Sequence, residues 1–197
     1  MEFDAVVLAG GRSQRLGGED KASLRVGGRS LLDRAIDALR DAGRVIVVGP
    51  RRSTLRTVSW ARESPIGAGP LAATAAGVEH VVAESLVVRA VDYPFVDASV
   101  IAALLRAIEE HEGAALTDDE GNFHYVAGAY RSASLREALK RRGKVEDASM
   151  RGVFASLDVV AVHDERAALD IDYPEDLEAA RRIATSDRLD DRAETSD

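Results

Sequence analysis

Three runs of consecutive aliphatic residues constrain this chain more than any other feature: Ala5-Val6-Val7-Leu8, Val45-Ile46-Val47-Val48 and Leu86-Val87-Val88. A strand with one wet face alternates apolar and polar side chains. A strand that is apolar throughout must be covered on both faces, as in parallel sheets flanked by helices. Strands are expected at 4–9, 44–49, 86–91, 125–130 and 157–162. Helical signals lie between them. Ser30 with Asp33 three residues on is a variant capping box, and Leu32, Ile36 and Leu39 form an apolar stripe behind it. Residues 71–83 are Ala-rich, and Ile101, Leu104, Leu105 and Ile108 share one face of a helix over 98–110. Pro174 suits the first turn of a last helix, where its missing N–H costs nothing. The alternation predicts an α/β fold: a doubly wound, mainly parallel sheet with helices on both faces. Residues 118–124 read as a hairpin tip. Residues 185–197 are polar with few apolar anchors, so one domain is expected over 1–184, followed by a disordered tail.

The chain has 197 residues, enough for one α/β domain with a sizeable core. It has no cysteine, which removes disulfides, zinc–thiolate sites and cysteine nucleophiles. Its formal net charge of −8 argues against a nucleic-acid partner, whose recognition relies on neutralising phosphates. No run approaches the length of a membrane span, and no basic n-region opens the chain. A cytoplasmic protein with no membrane partner is expected.

Ligands of doubly wound sheets sit beyond the carboxyl ends of the strands. Gly10, Gly49 and Asp92 all fall at such ends. The first of these ends opens a loop running from Leu8, Ala9, Gly10 and Gly11 through Arg12, Arg15, Gly17 and Gly18 to Asp20-Lys21. Glycines bring backbone N–H groups close to an anion, and the cations add charge. The spacing fits neither a Walker A loop nor Gly-x-Gly-x-x-Gly. Asp92 closes an apolar strand, where a carboxylate packs poorly. A helix N-cap and a Mg²⁺ ligand are the two readings. Asp97 is better placed for the cap, so Asp92 is read as the metal ligand.

Glu63 precedes Gly67-Ala68-Gly69-Pro70. A carboxylate accepts two hydrogen bonds side by side, and guanine offers N1–H and N2–H₂ on one edge. An exposed loop acid is the equal alternative. Asp170 and Asp172 share one face of an extended segment, positioned for a metal, for an acceptor or to cap the helix at Pro174; capping is preferred for at least one. The basic run Lys140, Arg141, Arg142 and Lys144 reads first as a helix end favourable to the dipole. A docking surface for an anionic acceptor is the sharper alternative, and Arg151 is a separate candidate for that role. The histidines His80, His111, His124 and His163 are scattered and form no His-x-x-x-His pair.

The blocks Leu8-Ala9-Gly10-Gly11 to Lys21, Gly69-Pro70-Leu71-Ala72, Asp92-Tyr93-Pro94-Phe95 and Asp170-Ile171-Asp172-Tyr173-Pro174-Glu175-Asp176-Leu177 occur in one order over most of the chain. Together they resemble the nucleotidyltransferases that activate sugars and cofactors. Asp20-Lys21 most resembles the molybdenum cofactor guanylyltransferase (MobA-type) branch, where sugar and cytidylyl relatives more often carry Pro-Lys. The resemblance implies a single Rossmann-like domain and Mg²⁺-dependent transfer of GMP from GTP to the phosphate of molybdopterin or its molybdenum form, with release of pyrophosphate. It further implies base and ribose contacts from the backbone of Leu8, Ala9 and Gly10, and a triphosphate wrapped by the loop from Gly11 to Gly17. Lys21 and Arg15 would act at the phosphates, and Asp92 at Mg²⁺ and nucleotide. An acid near Glu63 would contact the nucleotide, and the acceptor would bind in the C-terminal half, near Arg151, Asp170 and Asp172. Gly49 and both of these aspartates stand where relatives often carry Asn. A molybdopterin-loading protein and a receiving apoenzyme are implied partners. The same fold accommodates a cytidylyltransferase on this cofactor or a guanylyltransferase on a phospholactate-type acceptor. A non-catalytic nucleotide-binding regulator is the alternative of another class, against which intact Lys21 and Asp92 speak.

Overall fold

Every residue of β1 (Phe3–Leu8) and of β6 (Ser85–Ala90) is buried, as the aliphatic runs within them require. The computed structural model describes residues 1–10, 14–146 and 148–194. The other strands are β2 (Arg25–Val26), β3 (Arg29–Ser30), β4 (Val45–Val48), β5 (Ser59–Ala61), β7 (Gly113–Thr117), β8 (Phe123–Arg131) and β9 (Val159–His163). A seven-stranded sheet has the order β5-β4-β1-β6-β8-β7-β9, and β2 and β3 pair separately. In the large sheet β8 alone runs against its neighbours β6 and β7. The remaining pairings are parallel. The helices are α1 (Leu31–Ala38), α2 (Gly69–Val78), α3 (Ala98–Ala107), α4 (Ser132–Arg142), α5 (Met150–Phe154), α6 (Glu165–Ala168) and α7 (Pro174–Glu194).

The local signals are realised at the expected places. The Ser30 hydroxyl accepts from the Asp33 N–H, and α1 buries Leu32 and Ile36. Asp97 caps α3 through the N–H groups of Ser99 and Val100. The β7–β8 hairpin turns at Asp118–Asn122, where the Gly121 N–H donates to the Asp118 carbonyl. α4 ends in Lys140, Arg141 and Arg142 and is closed by Gly143 at φ +68°.

Four strands were not anticipated. β2 and β3 are two-residue strands and β5 is a three-residue edge strand, too short to show a period. β7 is built of Gly113, Ala114, Ala115, Leu116 and Thr117, which lack β-branched bulk except at the end. The small residues have a packing reason. A Cβ at Gly113 would lie 2.6 Å from the ring of Tyr130 on β8. The start of α7 corrects a second expectation. Among the described residues neither the Asp170 nor the Asp172 side chain bonds an N–H of its first turn. Asp176 reaches back instead, accepting from the N–H groups of Asp172 (3.0 Å) and Tyr173 (2.7 Å). α7 runs to Glu194, past residue 185 where the sequence reading placed the start of a tail.

The ends of β1 and β4 touch. The Ala9 N–H donates to the Val48 carbonyl, and Gly49 follows at φ +150°. A Cβ on Gly49 would lie 2.7 Å from the Ala9 carbonyl oxygen, inside contact distance of backbone. Glycine is the residue that fits this approach. Gly49→Ala is expected to cost roughly 2 kcal/mol or more, since both the dihedral and the contact are unfavourable to a side chain. Urea unfolding of the two proteins measures it.

Candidate active site

β1, β4 and β6 lie side by side, and the loops that follow β1, β4 and β5 surround a cleft of about 580 Å³. Leu8 and Gly10 form its floor, Pro50 and Arg52 one wall, and Glu63, Gly67, Gly69 and Pro70 the other. Glu63 is 6% exposed although it belongs to a loop. Its Oε1 accepts from the Gly67 N–H at 3.0 Å, and its Oε2 is buried without a hydrogen bond. A Cβ on Gly10 would lie 3.7 Å from Oε1, so the carboxylate faces the end of β1. The exposed-acid reading of Glu63 is therefore set aside by its burial. An unsatisfied buried oxygen costs about 1–3 kcal/mol, a cost that a ligand N–H would relieve.

Beyond the same strand ends lies a charged cluster. Lys21 Nζ is 3.2 Å from Asp92 Oδ2 and 2.9 Å from Asp172 Oδ1. Burial opposes the charge on Lys21, but the two carboxylates outweigh it and raise its pKa. Asp92 Oδ1 is buried without a hydrogen bond. The backbone of Asp92 also accepts from the Ile171 N–H at 3.0 Å, which brings the segment from Asp170 to Asp172 alongside the end of β6. Burial raises the pKa of Asp170, and Asp172 and Asp92 add to the effect by repulsion. Arg15 donates to Asp172 Oδ2 at 3.3 Å and lies 5.0 Å from the centre of the Tyr173 ring, with a largely exposed side chain.

The chain thus brings together Arg15, Lys21, Asp92, Asp170 and Asp172, and sets Leu8, Ala9, Gly10 and Glu63 at the neighbouring cleft. Gly11 and Arg12 lie outside the described residues. Arg151 is exposed on α5, with no hydrogen bond or ion pair to any of these among the described residues. Among the described residues no group of three His, Cys, Asp or Glu side chains could hold a metal by itself. Mg²⁺ does not need one, because it binds through one or two carboxylates plus substrate phosphates.

Sequence reasoning passed over two arginines and a tyrosine. Arg89 of β6 is fully buried and donates to the carbonyls of Ala35 (3.0 Å) and Tyr93 (2.8 Å). It thereby ties the turn after Asp92 to α1. Burial lowers its pKa to about 9, still charged at neutral pH. Tyr93 is buried with its hydroxyl 3.0 Å from His124 Nδ1. Burial and the carboxylates of Asp92, Asp170 and Asp172 push its pKa well up, so it stays neutral. Arg52 grips Asp20. A cation inside an apolar strand, as at Arg89, is the one local signal that pointed to any of these.

The sign of the Asp170 shift yields a measurement. A carboxyl whose folded pKa is raised contributes stability at low pH and loses it as pH rises through that raised value. Asp170→Asn removes the ionised form, so it should raise Tm at pH 7–8. The gain should shrink as pH falls through the raised range toward the ordinary value of 3.8. Thermal unfolding of both proteins across this pH range measures it.

Comparison with known proteins places this geometry. Residues 5–162 match the family model described as MobA-like NTP transferase domain. A protein of Opitutus terrae described as a probable molybdenum cofactor guanylyltransferase is 34% identical over 190 residues, covering 89% of this chain and 93% of that one. The crystal structure of molybdopterin-guanine dinucleotide biosynthesis protein A from Archaeoglobus fulgidus superposes with a TM-score of 0.73 at 20% identity, covering 93% of this chain and 99% of that one, a likeness of fold. That of 2-C-methyl-D-erythritol 4-phosphate cytidylyltransferase from Thermus thermophilus gives 0.71 at 25% identity, covering 94% and 100%.

Proposed function

We propose, for a chain that belongs to the MobA-like NTP transferase family and is a nucleotidyltransferase, a guanylyl transfer from GTP to the terminal phosphate of molybdopterin or its molybdenum form. The observation that carries the reading is Lys21 set against Asp92, whose second oxygen is buried and unpaired, at the shared end of β1 and β6. The names of the relatives support the choice of acceptor.

An oxygen of the acceptor phosphate attacks the α-phosphorus of GTP. The bond from that phosphorus to the oxygen bridging to the β-phosphate breaks, and pyrophosphate leaves with the electron pair. The second pKa of a phosphate monoester is about 6, so the nucleophile is already ionised at neutral pH. No general base is required, which agrees with a site built from one lysine and acids. Positioning and charge stabilisation then make up most of the catalysis. Lys21, kept protonated by Asp92 and Asp172, would bring its charge to the phosphates. Arg15 would add a second, more exposed charge. Asp92 would hold Mg²⁺ through Oδ1, and that ion, when bound, supplies neutralisation of phosphate oxygens.

Glu63 supports the choice of base. Its free Oε2 accepts a hydrogen bond, and guanine alone among the common bases presents N1–H with an adjacent N2–H₂. The two donors of guanine lie side by side as the two carboxylate oxygens do, and a base with fewer donors on that edge would leave part of the buried carboxylate unsatisfied. The acceptor would enter from the side of Asp170 and Asp172, with Arg151 and the loading and receiving proteins as further parts of the reading. The reading keeps the cytoplasmic setting; no described helix is long and apolar enough to cross a membrane.

The test is pyrophosphate release with Mg²⁺ and molybdopterin, comparing GTP, CTP, ATP and UTP. Release with GTP alone is expected. Release with CTP alone would overturn the base assignment and keep the reaction. Asp92→Ala should fold normally and lose turnover by about a hundredfold or more. Glu63→Gln should lower kcat/KM for GTP by about tenfold, because the amide turns a donor toward guanine N–H groups. Full activity of Asp92→Ala would sink the assignment of that residue.

A further inference from the structure

We infer that Arg52 is a positioning residue: a clamp that holds Lys21 at a set distance from the nucleotide cleft. The inference rests on the nucleotide reading above. Arg52 follows β4, and Asp20 ends the loop that follows β1. The Arg52 guanidinium donates from Nε to Asp20 Oδ2 and from its terminal nitrogen to Asp20 Oδ1, both at 2.6 Å. Its other terminal nitrogen donates to the carbonyl of Pro50 at 2.8 Å. One planar group therefore joins the two loops, tied to its own backbone at one end and to Asp20 at the other.

The pair is stronger than an ordinary surface ion pair. The Arg52 side chain is 17% exposed, although Asp20 is 44% exposed. A two-bonded guanidinium–carboxylate pair fixes angle as well as distance, which an ammonium group does not. Arg52 lowers the pKa of Asp20 and keeps it ionised. The Ser23 hydroxyl donates to the same carboxylate at 2.8 Å, which ties in the far end of the turn.

Lys21 is the residue immediately after Asp20 and begins that turn, Lys21–Ser23. Arg52 also lines the cleft that contains Gly10 and Glu63. It thus both lines the cleft and grips the residue preceding Lys21. Three of its five N–H groups are engaged within the protein, and two of those three bonds go to Asp20, so in this reading it acts through Asp20. Its removal should free the turn, and the loss should fall on the phosphate end of the ligand.

The experiment measures binding of GTP and of guanosine by titration calorimetry to the full chain and to Arg52→Ala, Asp20→Asn and the double variant. Each single variant should weaken GTP binding by about tenfold, and the double variant no further, because one interaction is lost in all three. Guanosine binding should be unchanged. Arg52→Lys should fall between wild type and Arg52→Ala. Additive losses, or a loss with Arg52→Ala but none with Asp20→Asn, would show that Arg52 touches the nucleotide and would overturn the clamp. Equal losses for guanosine would do the same. Hydrogen exchange of the Ser23 and Leu24 amides without any ligand gives an independent reading. It should speed up alike in both single variants and no more in the double, and unchanged exchange would overturn the clamp. If wild type binds no nucleotide, the functional reading fails, and exchange alone decides the clamp.

Discussion

Lys21 stands between the carboxylates of Asp92 and Asp172, 71 and 151 residues away along the chain. Three separate segments meet at that ammonium group: the loop after β1, the turn after β6 and the approach to α7. Lys21 offsets part of the repulsion among Asp92, Asp170 and Asp172, three aspartates that share a half-buried space. The raised pKa of Lys21 and of Asp170 are two signs of the same field. Attraction holds the lysine charged, and crowding of like charge makes Asp170 reluctant to ionise. A substrate bearing phosphates would enter a place where Lys21 and Arg15 already have carboxylate partners, so part of its binding would come from exchanging partners with Lys21.

The scaffold under this cluster is rigid for reasons of packing. β1 and β6 are buried along their whole length, and the Ala9–Gly49 approach leaves no room for a side chain. Arg89 then fixes the turn that carries Asp92 by donating to the Tyr93 carbonyl within it and to the Ala35 carbonyl of α1. A buried cation held by carbonyls, here with Nε left without a partner, costs desolvation and brings specificity of placement. The same logic applies to Glu63, whose one oxygen is tied to Gly67 and whose other is kept free in the cleft. Both groups spend stability on geometry, as sites that bind and orient a ligand do.

Much of this was legible in the chain. The aliphatic runs are incompatible with a one-sided sheet, so β1, β4 and β6 and the parallel, helix-covered class follow from burial alone. Ser30, Asp97 and Pro174 mark helix starts by chemistry that acts within one turn, and all three mark real ones. Lys21 and Asp92 were legible because a cation in a glycine loop and an acid at a strand end have poor structural reasons to be there, and Asp172 because it shares one face of an extended segment with Asp170. β5 and β7 were not legible, because a three-residue edge and a run of small residues become strands only through their partners.

The sequence by itself determined the class of sheet, the places where strands end and the residue types gathered at those ends, since hydrophobic burial and capping are local or periodic. Tertiary structure decided everything that depends on distance between segments remote in the chain. It decided that Asp172 pairs with Lys21 while Asp176 serves the helix, that Glu63 is buried beside Gly10, and that Arg52 reaches Asp20 across 32 residues. Charge pairing has no period and no preferred separation along a chain. Which cation meets which carboxylate is set only when the strands have fixed where their loops emerge.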